Sequence, residues 1–445
     1  MIKTLRTTEN RIPEPVNLAE LDFPNPFYEG LQYNAPARGV WNIVHTGMLI
    51  PDSHQVYVCA QGCLRGVILT AAEMNSMERM SWVALRESDM WNGEMEKRVI
   101  EGTAHIVEQL NPKPRCVLIY LSCMHMFEGC DFQMITDELS EMYPDIDFVE
   151  CYMIPTMRKT MSPDAMMKIS LYENVKQLKI DDGFVGIIGN NLPMDPESDL
   201  VSLIKLSGRK VWDITDCNNY EDYLTLGSAG WLVSFLSVTD NAAKQLSGRL
   251  DRKWIKTLLR FDSKKLDESL ILLGEELGLG KEQVEEFIET RKTKAIDALK
   301  EAASVIGDTE IAIDYTAFPY IIELAEVLLE NGFNVTRLYA DNFPADESDA
   351  FERLRSDERF KHIKIYPTNE PSMRFAASKC ATLAIGQKAA YFTQSPYFVD
   401  IVEGGGTFGY QSLEKLAGLM IEAYQNSKDI ESVIGHKGWG CESCL

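Results

Sequence analysis

The sequence predicts an α/β protein of three doubly wound, parallel-sheet domains with Rossmann-like topology. Three observations carry that prediction. Short apolar runs of strand length alternate with longer amphipathic stretches, the pattern of strand–helix–strand units. One of those runs, RCVLIYLSC over residues 115–123, is apolar throughout, as expected of a strand buried on both faces. The alternation starts afresh twice, at GFVGIIGNNL (183–192) and at EIAIDYTAF (310–318), and 445 residues exceed one ordinary domain.

The elements follow in order. Residues 1–30, rich in Pro and Asn, read as an N-terminal arm that packs on another part of the chain. The first α/β domain spans 31–172. It holds the strand QVYVCA (55–60), a helix within WNGEMEKRVIEGTAHIVEQL (91–110), the buried strand at 115–123, the helix DFQMITDELSEMY (131–143) and the strand DIDFVECYMI (145–154). The second spans 173–300, with a strand in 183–192, a helix ESDLVSLIKLSG closed by Gly208, the strand RKVWDI, and the strand-sized run GWLVSFLSV (230–238). From Lys253 to Ile306 the chain is charged and reads as helix. The third domain, 301–435, has strands at 310–318, 333–341, 361–367 and 380–387, a further short strand AAYFTQ (389–394), and helices at 320–332 and 413–427. A tail, 436–445, carries two cysteines.

Composition narrows the function. The formal net charge is -23 and the isoelectric point near 4.8, so no basic surface for nucleic acid or anionic membrane is expected. The same acidity suits solubility or docking to a partner with a basic face. The first residues lack the apolar core of a secretory signal, and no run approaches the roughly 18 apolar residues of a membrane helix. A cytoplasmic location is expected, and there ten cysteines are not a disulfide framework. Grouped ones become candidate metal ligands and single ones buried apolar residues.

The grouped ones lie where ligands would be useful. VCAQGCLRG (58–66) places Cys59 and Cys63 just past an apolar run, and Cys123 ends the next such run, with Cys130 in EGCD beyond it. In open parallel sheets, sites form beyond the carboxyl ends of strands. Thiolates suit iron–sulfur clusters, zinc or copper, and the small residues Ala60, Gly62 and Gly66 would let backbone N–H groups approach sulfide. By spacing alone Cys63 and Cys123 fit either ligation or packing. Cys116, Cys151, Cys217 and Cys380 sit singly and read as packing. Cys441 and Cys444 form a terminal CxxC, half of a zinc or cluster site or a redox dithiol, with His436 nearby. His45, His54 and His125 are candidate proton donors, and Arg65 and Arg158 candidate counter-charges or surface ion pairs. GGGTFG (404–409) formally satisfies GxGxxG, but it fits a cavity-lining turn better than a dinucleotide site. No GxxxxGK[ST] occurs, so this chain supplies no P-loop.

From Cys63 onward the order GC, LRESDMWNGEMEKRVIEG, PKPRCVLIYLSC, EGCD resembles nitrogenase component 1 and its relatives. GFVGIIGNNL with SDLVSLIKLSGRKV, NYEDYLTLGSAGWLVSF and GGGTFGYQSLEKLAG resemble that family's later segments in the same order. The resemblance implies three α/β domains and paired like or homologous subunits, as a dimer or tetramer. It also implies an iron–sulfur cluster at the subunit interface, fed by a separate ATP-hydrolysing iron–sulfur reductase. Cys63 and Cys123 match two of the cluster ligands. The family's first ligand lies upstream, where this chain reads YNAPARGVWN without a cysteine. Cys59 replaces a glycine of the GC motif, and Cys130 replaces the first Asp of Gly-Asp-Asp. The set expected is therefore Cys59, Cys63, Cys123 and Cys130, or a set completed by a partner subunit. The resemblance places the Cys and His that hold the family's molybdenum–iron cofactor near Phe235 and Val399, neither of which can ligate iron. The function so implied is electron transfer to a small molecule other than dinitrogen. The C-terminal CxxC offers a second metal or cluster site. The alternatives are a scaffold on which a metallocluster is assembled and a zinc-stabilised binding protein.

Overall fold

In a computed structural model the structure describes residues 14–27, 35, 37, 39–154, 161–370, 373 and 381–431. Cys380, Cys441, Cys444, His436 and Arg158 lie outside the described residues. Among those described, three sheets form. The strands in chain order are β1 Val16–Asn17, β2 Ser53–Ala60, β3 Met80–Leu85, β4 Cys116–Ser122, β5 Asp147–Met153, β6 Asp181–Ile187, β7 Lys210–Trp212, β8 Ala229–Ser234, β9 Lys253–Lys256, β10 Glu310–Asp314, β11 Asn334–Tyr339, β12 Lys364–Tyr366, β13 Thr382–Ile385 and β14 Phe398–Val399. Two sheets are wholly parallel, with orders β3-β2-β4-β5 and β7-β6-β8-β9. The third, β1-β12-β11-β10-β13-β14, is parallel except for β1, which pairs antiparallel with β12. The arm thus packs where it supplies that edge strand. The α/β class with parallel sheets is as the sequence predicts, and β1 makes the third sheet mixed.

The described residues of 41–194 and 204–258 form one compact unit, and those of 14–40, 195–203 and 259–431 another. In the first unit the period-2 geometry of strands divides β2 and β4 between two cores. Tyr57, Cys59, Cys116, Leu118 and Tyr120 face one, with the helices Ile43–Met48, Leu64–Glu73 and Pro163–Ser170. Val56, Val58, Val117, Ile119 and Leu121 face the other, with the helices Met95–Gln109 and Phe132–Met142. Every residue of β4 is buried, which explains its unbroken apolar sequence. Tyr57 and Tyr120 are paired across β2 and β4, and their rings stack 4.2 Å apart. Such a stack adds about 0.5–1.5 kcal/mol beyond area burial. Cys116 and Cys151 are fully buried in the core, as expected of single cysteines.

The second unit is tied by buried charge as well as by its apolar core. Arg260 donates to Glu323 and to Asp346, and Glu347 accepts from the amides of Ile322 and Glu323 at the start of the helix Ile321–Glu330. One predicted strand is corrected: AAYFTQ belongs to a helix, Gln387–Thr393. The amide of Ala389 donates to Asp314 Oδ2 at the tip of β10, anchoring the first helical turn, and the two alanines favour helix.

Candidate functional site

The carboxyl edge of the β3-β2-β4-β5 sheet gathers the sequence's candidate ligands. Val58 is in register with Leu121, so Cys59 stands level with Ser122, the residue before Cys123. Cys59 ends β2 fully buried. Burial pushes its thiol up to about 12, and Cys63 and Cys123 add to the effect, so each of these two lies within electrostatic reach of Cys59. Cys63 closes a short turn before the helix Leu64–Glu73 and is exposed, its side chain making no capping hydrogen bond. Cys123 opens the helix Cys123–Glu128 and is half-buried.

The turn that presents Cys123 is fixed by His125. Ser122 donates its backbone N–H to His125 Nδ1 at 3.1 Å, which places the ring proton of the neutral imidazole on Nε2. His125 is fully buried, burial lowers its pKa to about 4, and its Nε2 has no hydrogen-bond partner. The turn ends at Gly129 with φ +72°, a left-handed conformation that glycine adopts without strain. Cys130, next along, bonds back through its N–H to His125 O. Its thiol packs against the opposite core, and burial with the carboxylates of Glu96 and Glu128 pushes it to about 11. Cys130 thus packs against a different core from Cys59. Among the described residues no three His, Cys, Asp or Glu side chains converge to hold a metal ion.

The surroundings of the thiols are open and partly apolar. A Cβ added at Gly62, Gly66 or Gly129 would meet nothing within 4 Å. Arg65 is exposed and makes no ion pair among the described residues. Phe127 is 70% exposed and Met126 44%, while Trp91, beyond the tip of β3, is 80% exposed. The other candidate histidines are engaged structurally. His54 Nε2 meets Ser81 Oγ at 2.8 Å, and His45 Nδ1 accepts the Asn42 amide.

A pocket shares this edge. Its volume is about 360 Å³, and among the described residues its walls come from Trp41, Ile43, Met153, Ile154, Pro163 and Asp164, with Asn42 and Ser162 at its margin. Met153 ends β5 in register with Ser122, so the pocket begins one strand spacing, about 4.8 Å, from the chain that carries Cys123. Asn42 and Ser162 cap the helices Ile43–Met48 and Pro163–Ser170, and Tyr120 donates to Ile43 O, which fixes the first helix against the sheet. Among the described residues, Asp164 is the one ionisable group in these walls. Its Oδ1 is shielded from water and accepts no hydrogen bond. Burial pushes the carboxyl up, and the Lys168 charge one turn along opposes this without cancelling it. No motif marks Asp164 in the sequence. The only local signal is the helix start Ser162–Pro163 directly after a strand, a capping residue followed by Pro at the first helical position.

The glycine-rich turn at 404–409 is used within the protein. Glu403 and Gly404 donate to Thr316 O and Ala317 O, and Tyr410 N donates to Asp199 Oδ2. Gly409, with φ +83°, lies so close to Asp199 that a Cβ would meet Oδ2 at 2.2 Å. Phe235 and Val399 are both buried.

Comparison with known proteins agrees with this architecture. The family described as nitrogenase component 1 type oxidoreductase matches residues 44–418. A solved structure of nitrogenase Cp1 at pH 6.5 superposes with a TM-score of 0.67 at 13% identity, covering 89% of this chain and 94% of the other. Nitrogenase Cp1 at pH 5 gives a TM-score of 0.57 at 12% identity, covering 90% of each chain. Among curated proteins none matches. No helix among the described residues is long and apolar enough to cross a membrane.

Proposed function

Because the chain belongs to the nitrogenase component 1 type oxidoreductases, we propose that it accepts electrons from a separate ATP-hydrolysing iron–sulfur reductase, through an iron–sulfur cluster on its cysteines, and reduces a small molecule other than dinitrogen. The observation that carries this reading is the placement of three thiols, Cys59, Cys63 and Cys123, at the tips of two adjacent parallel strands. Thiolates are the donor type such clusters use, and the bare glycine faces at Gly62, Gly66 and Gly129 leave room beside them.

The fit is to a shared cluster rather than one enclosed by this chain. Cys63 is exposed, among the described residues the group lacks a closed set of ligands, and Met126 and Phe127 present apolar surface beside Cys123. A like or homologous subunit covering that surface would supply the remaining ligands. When bound, the cluster supplies a one-electron relay. The chain's own residues hold and shield it: Cys63 and Cys123 ligate, Cys59 supplies a third sulfur from the buried side, and His125 fixes the turn of Cys123. Phe235 and Val399 offer no metal donor, which is why reduction of dinitrogen on a molybdenum–iron cofactor is left out of the proposal.

The test is anaerobic mixing of the protein with its reductase and ATP. The expected result is an ATP-dependent change in the visible absorbance of the protein-bound cluster, followed by steady consumption of a reducible substrate. Transfer of the cluster to an acceptor protein without steady turnover would establish the scaffold instead. Zinc without iron–sulfur absorbance would establish the structural-metal reading.

A further inference from the structure

Among the described residues, the outer edge of β3 is the strand edge left least guarded. β3 ends the β3-β2-β4-β5 sheet and pairs with β2 from Met80 to Leu85 without a bulge. Ser81 to Leu85 make no other backbone hydrogen bond among the described residues, so alternate N–H and C=O groups face outward unpaired. Charge, proline, bulges or short length ordinarily blunt such an edge. The other edges have these devices. β5 carries Asp147 and Glu150, and β9 carries Lys253 and Lys256. β7 has three residues and begins with Lys210, and β1 and β14 have two residues each. β3, MSWVAL, has six residues with no charge and no proline. Trp82 is 44% exposed, and Ala84 is exposed on the same face.

The charges at the two ends of β3 say what completes it. In a closed twofold pair the strand meets its own copy antiparallel. With the axis at Trp82, Glu78 stands level with Arg86 of the copy, and Arg86 with Glu78 of the copy. Glu78 lies in the turn Met77–Arg79 and Arg86 caps the helix Glu87–Trp91, so the two flank the strand. Both are exposed, and neither makes an ion pair among the described residues. Arg79 stays out of the way, turned inward onto the carbonyls of Met48, Ile50 and Ser53. Half a residue forward, Glu78 would face Glu87 and Arg79 would face Arg86, like against like. Half a residue back, Glu78 would face Leu85 and Arg86 would face Met77.

We propose that β3 is an interface for a second copy of this chain. The two β3 strands pair antiparallel about a twofold axis at Trp82, so that two four-stranded sheets run on as one. The pairing supplies backbone hydrogen bonds, sets the two Trp82 side chains side by side, and closes a Glu78–Arg86 ion pair at each end. It runs along the side of the sheet, not its carboxyl edge, and does not rest on the function proposed above.

The test is sedimentation velocity of the full protein over a concentration series, with hydrogen exchange of the β3 amides in the same solutions. The copies should associate reversibly, and exchange from Ser81 to Leu85 should slow where they do. Ala84→Lys, which charges the exposed edge, should abolish both effects and leave the iron content unchanged. Glu78→Arg and Arg86→Glu should each weaken association about 10-fold, and the two together should restore it. Both side chains are exposed, so these changes leave the core intact. In Cys63→Ala protein, where association through a shared cluster is removed, pairing through β3 should remain. Absence of association in that protein, association indifferent to Ala84→Lys, free exchange of the β3 amides in the associated form, or charge swaps that fail to restore it would overturn the proposal.

Discussion

Cys59, Cys63 and Cys123 stand at two adjacent strand tips, and in the proposed cluster each would play a distinct part. Burial pushes the Cys59 thiol up to about 12, so it would bind a metal only by giving up its proton, while Cys63 is exposed and Cys123 half-buried. Away from that edge, Glu347 makes a sharper statement about single residues. It is fully buried beside Glu323, and burial raises its pKa to about 8 despite two amide hydrogen bonds. An unfolded glutamate titrates near 4.3. Between those values the folded state binds the extra proton, so stability contributed by Glu347 is complete below about pH 4.3 and is lost as pH rises to about 8. Thermal unfolding should therefore show its unit weakening from pH 6 to pH 9, and Glu347→Gln should flatten that slope. An unchanged slope in the variant would assign the loss to other groups. His54 acts with the opposite sign. Its pKa is lowered to about 4 by burial and by Arg79, so the stability from its neutral form is lost as pH falls from about 6.5 towards 4.

At the scale of elements, the helix Ile43–Met48 shows how tightly the site is built. A Cβ at Gly47 would stand 2.3 Å from the Tyr120 hydroxyl and 2.7 Å from the Gln55 amide. Both side chains are fully buried and bonded to this helix, Tyr120 to Ile43 O and Gln55 to Val44 O. Gly47→Ala should then cost about 1–3 kcal/mol by overpacking, read as a lower urea midpoint at unchanged slope. The elements themselves were legible wherever the pattern was long and regular, as in β4 or the helices Met95–Gln109 and Tyr410–Gln425. It failed where the signal is short. AAYFTQ is six residues, four of them apolar, a length at which buried strand and buried helix look alike. β9 and β14 span four and two residues, and β9 lies between charged stretches that read as helix. β3, MSWVAL, alternates in burial along an edge and carries no unbroken apolar run. The thiols were legible because a glycine-flanked cysteine directly after an apolar strand has a place in any parallel sheet. Asp164 was not, because its pocket joins residues 41–43, 153–154 and 162–164, and no spacing in the chain announces that meeting.

For the whole molecule, the apolar residues left open beside the cysteines suit the proposed pairing with a neighbouring subunit. If a neighbouring subunit completes the ligand set, iron and oligomer must go together. Sedimentation under argon should find the iron-bearing protein as a dimer or larger, with Cys63→Ala shifted towards smaller species; a monomer with full iron would mean that one chain suffices. The most direct test remains chemical: iron and acid-labile sulfide assayed in anaerobically purified protein, with low-temperature electron paramagnetic resonance. The account predicts both elements and a cluster signal in the native chain, and their sharp loss in Cys63→Ala and in Cys123→Ala. Colourless native protein without iron, or iron unchanged in both variants, would contradict it.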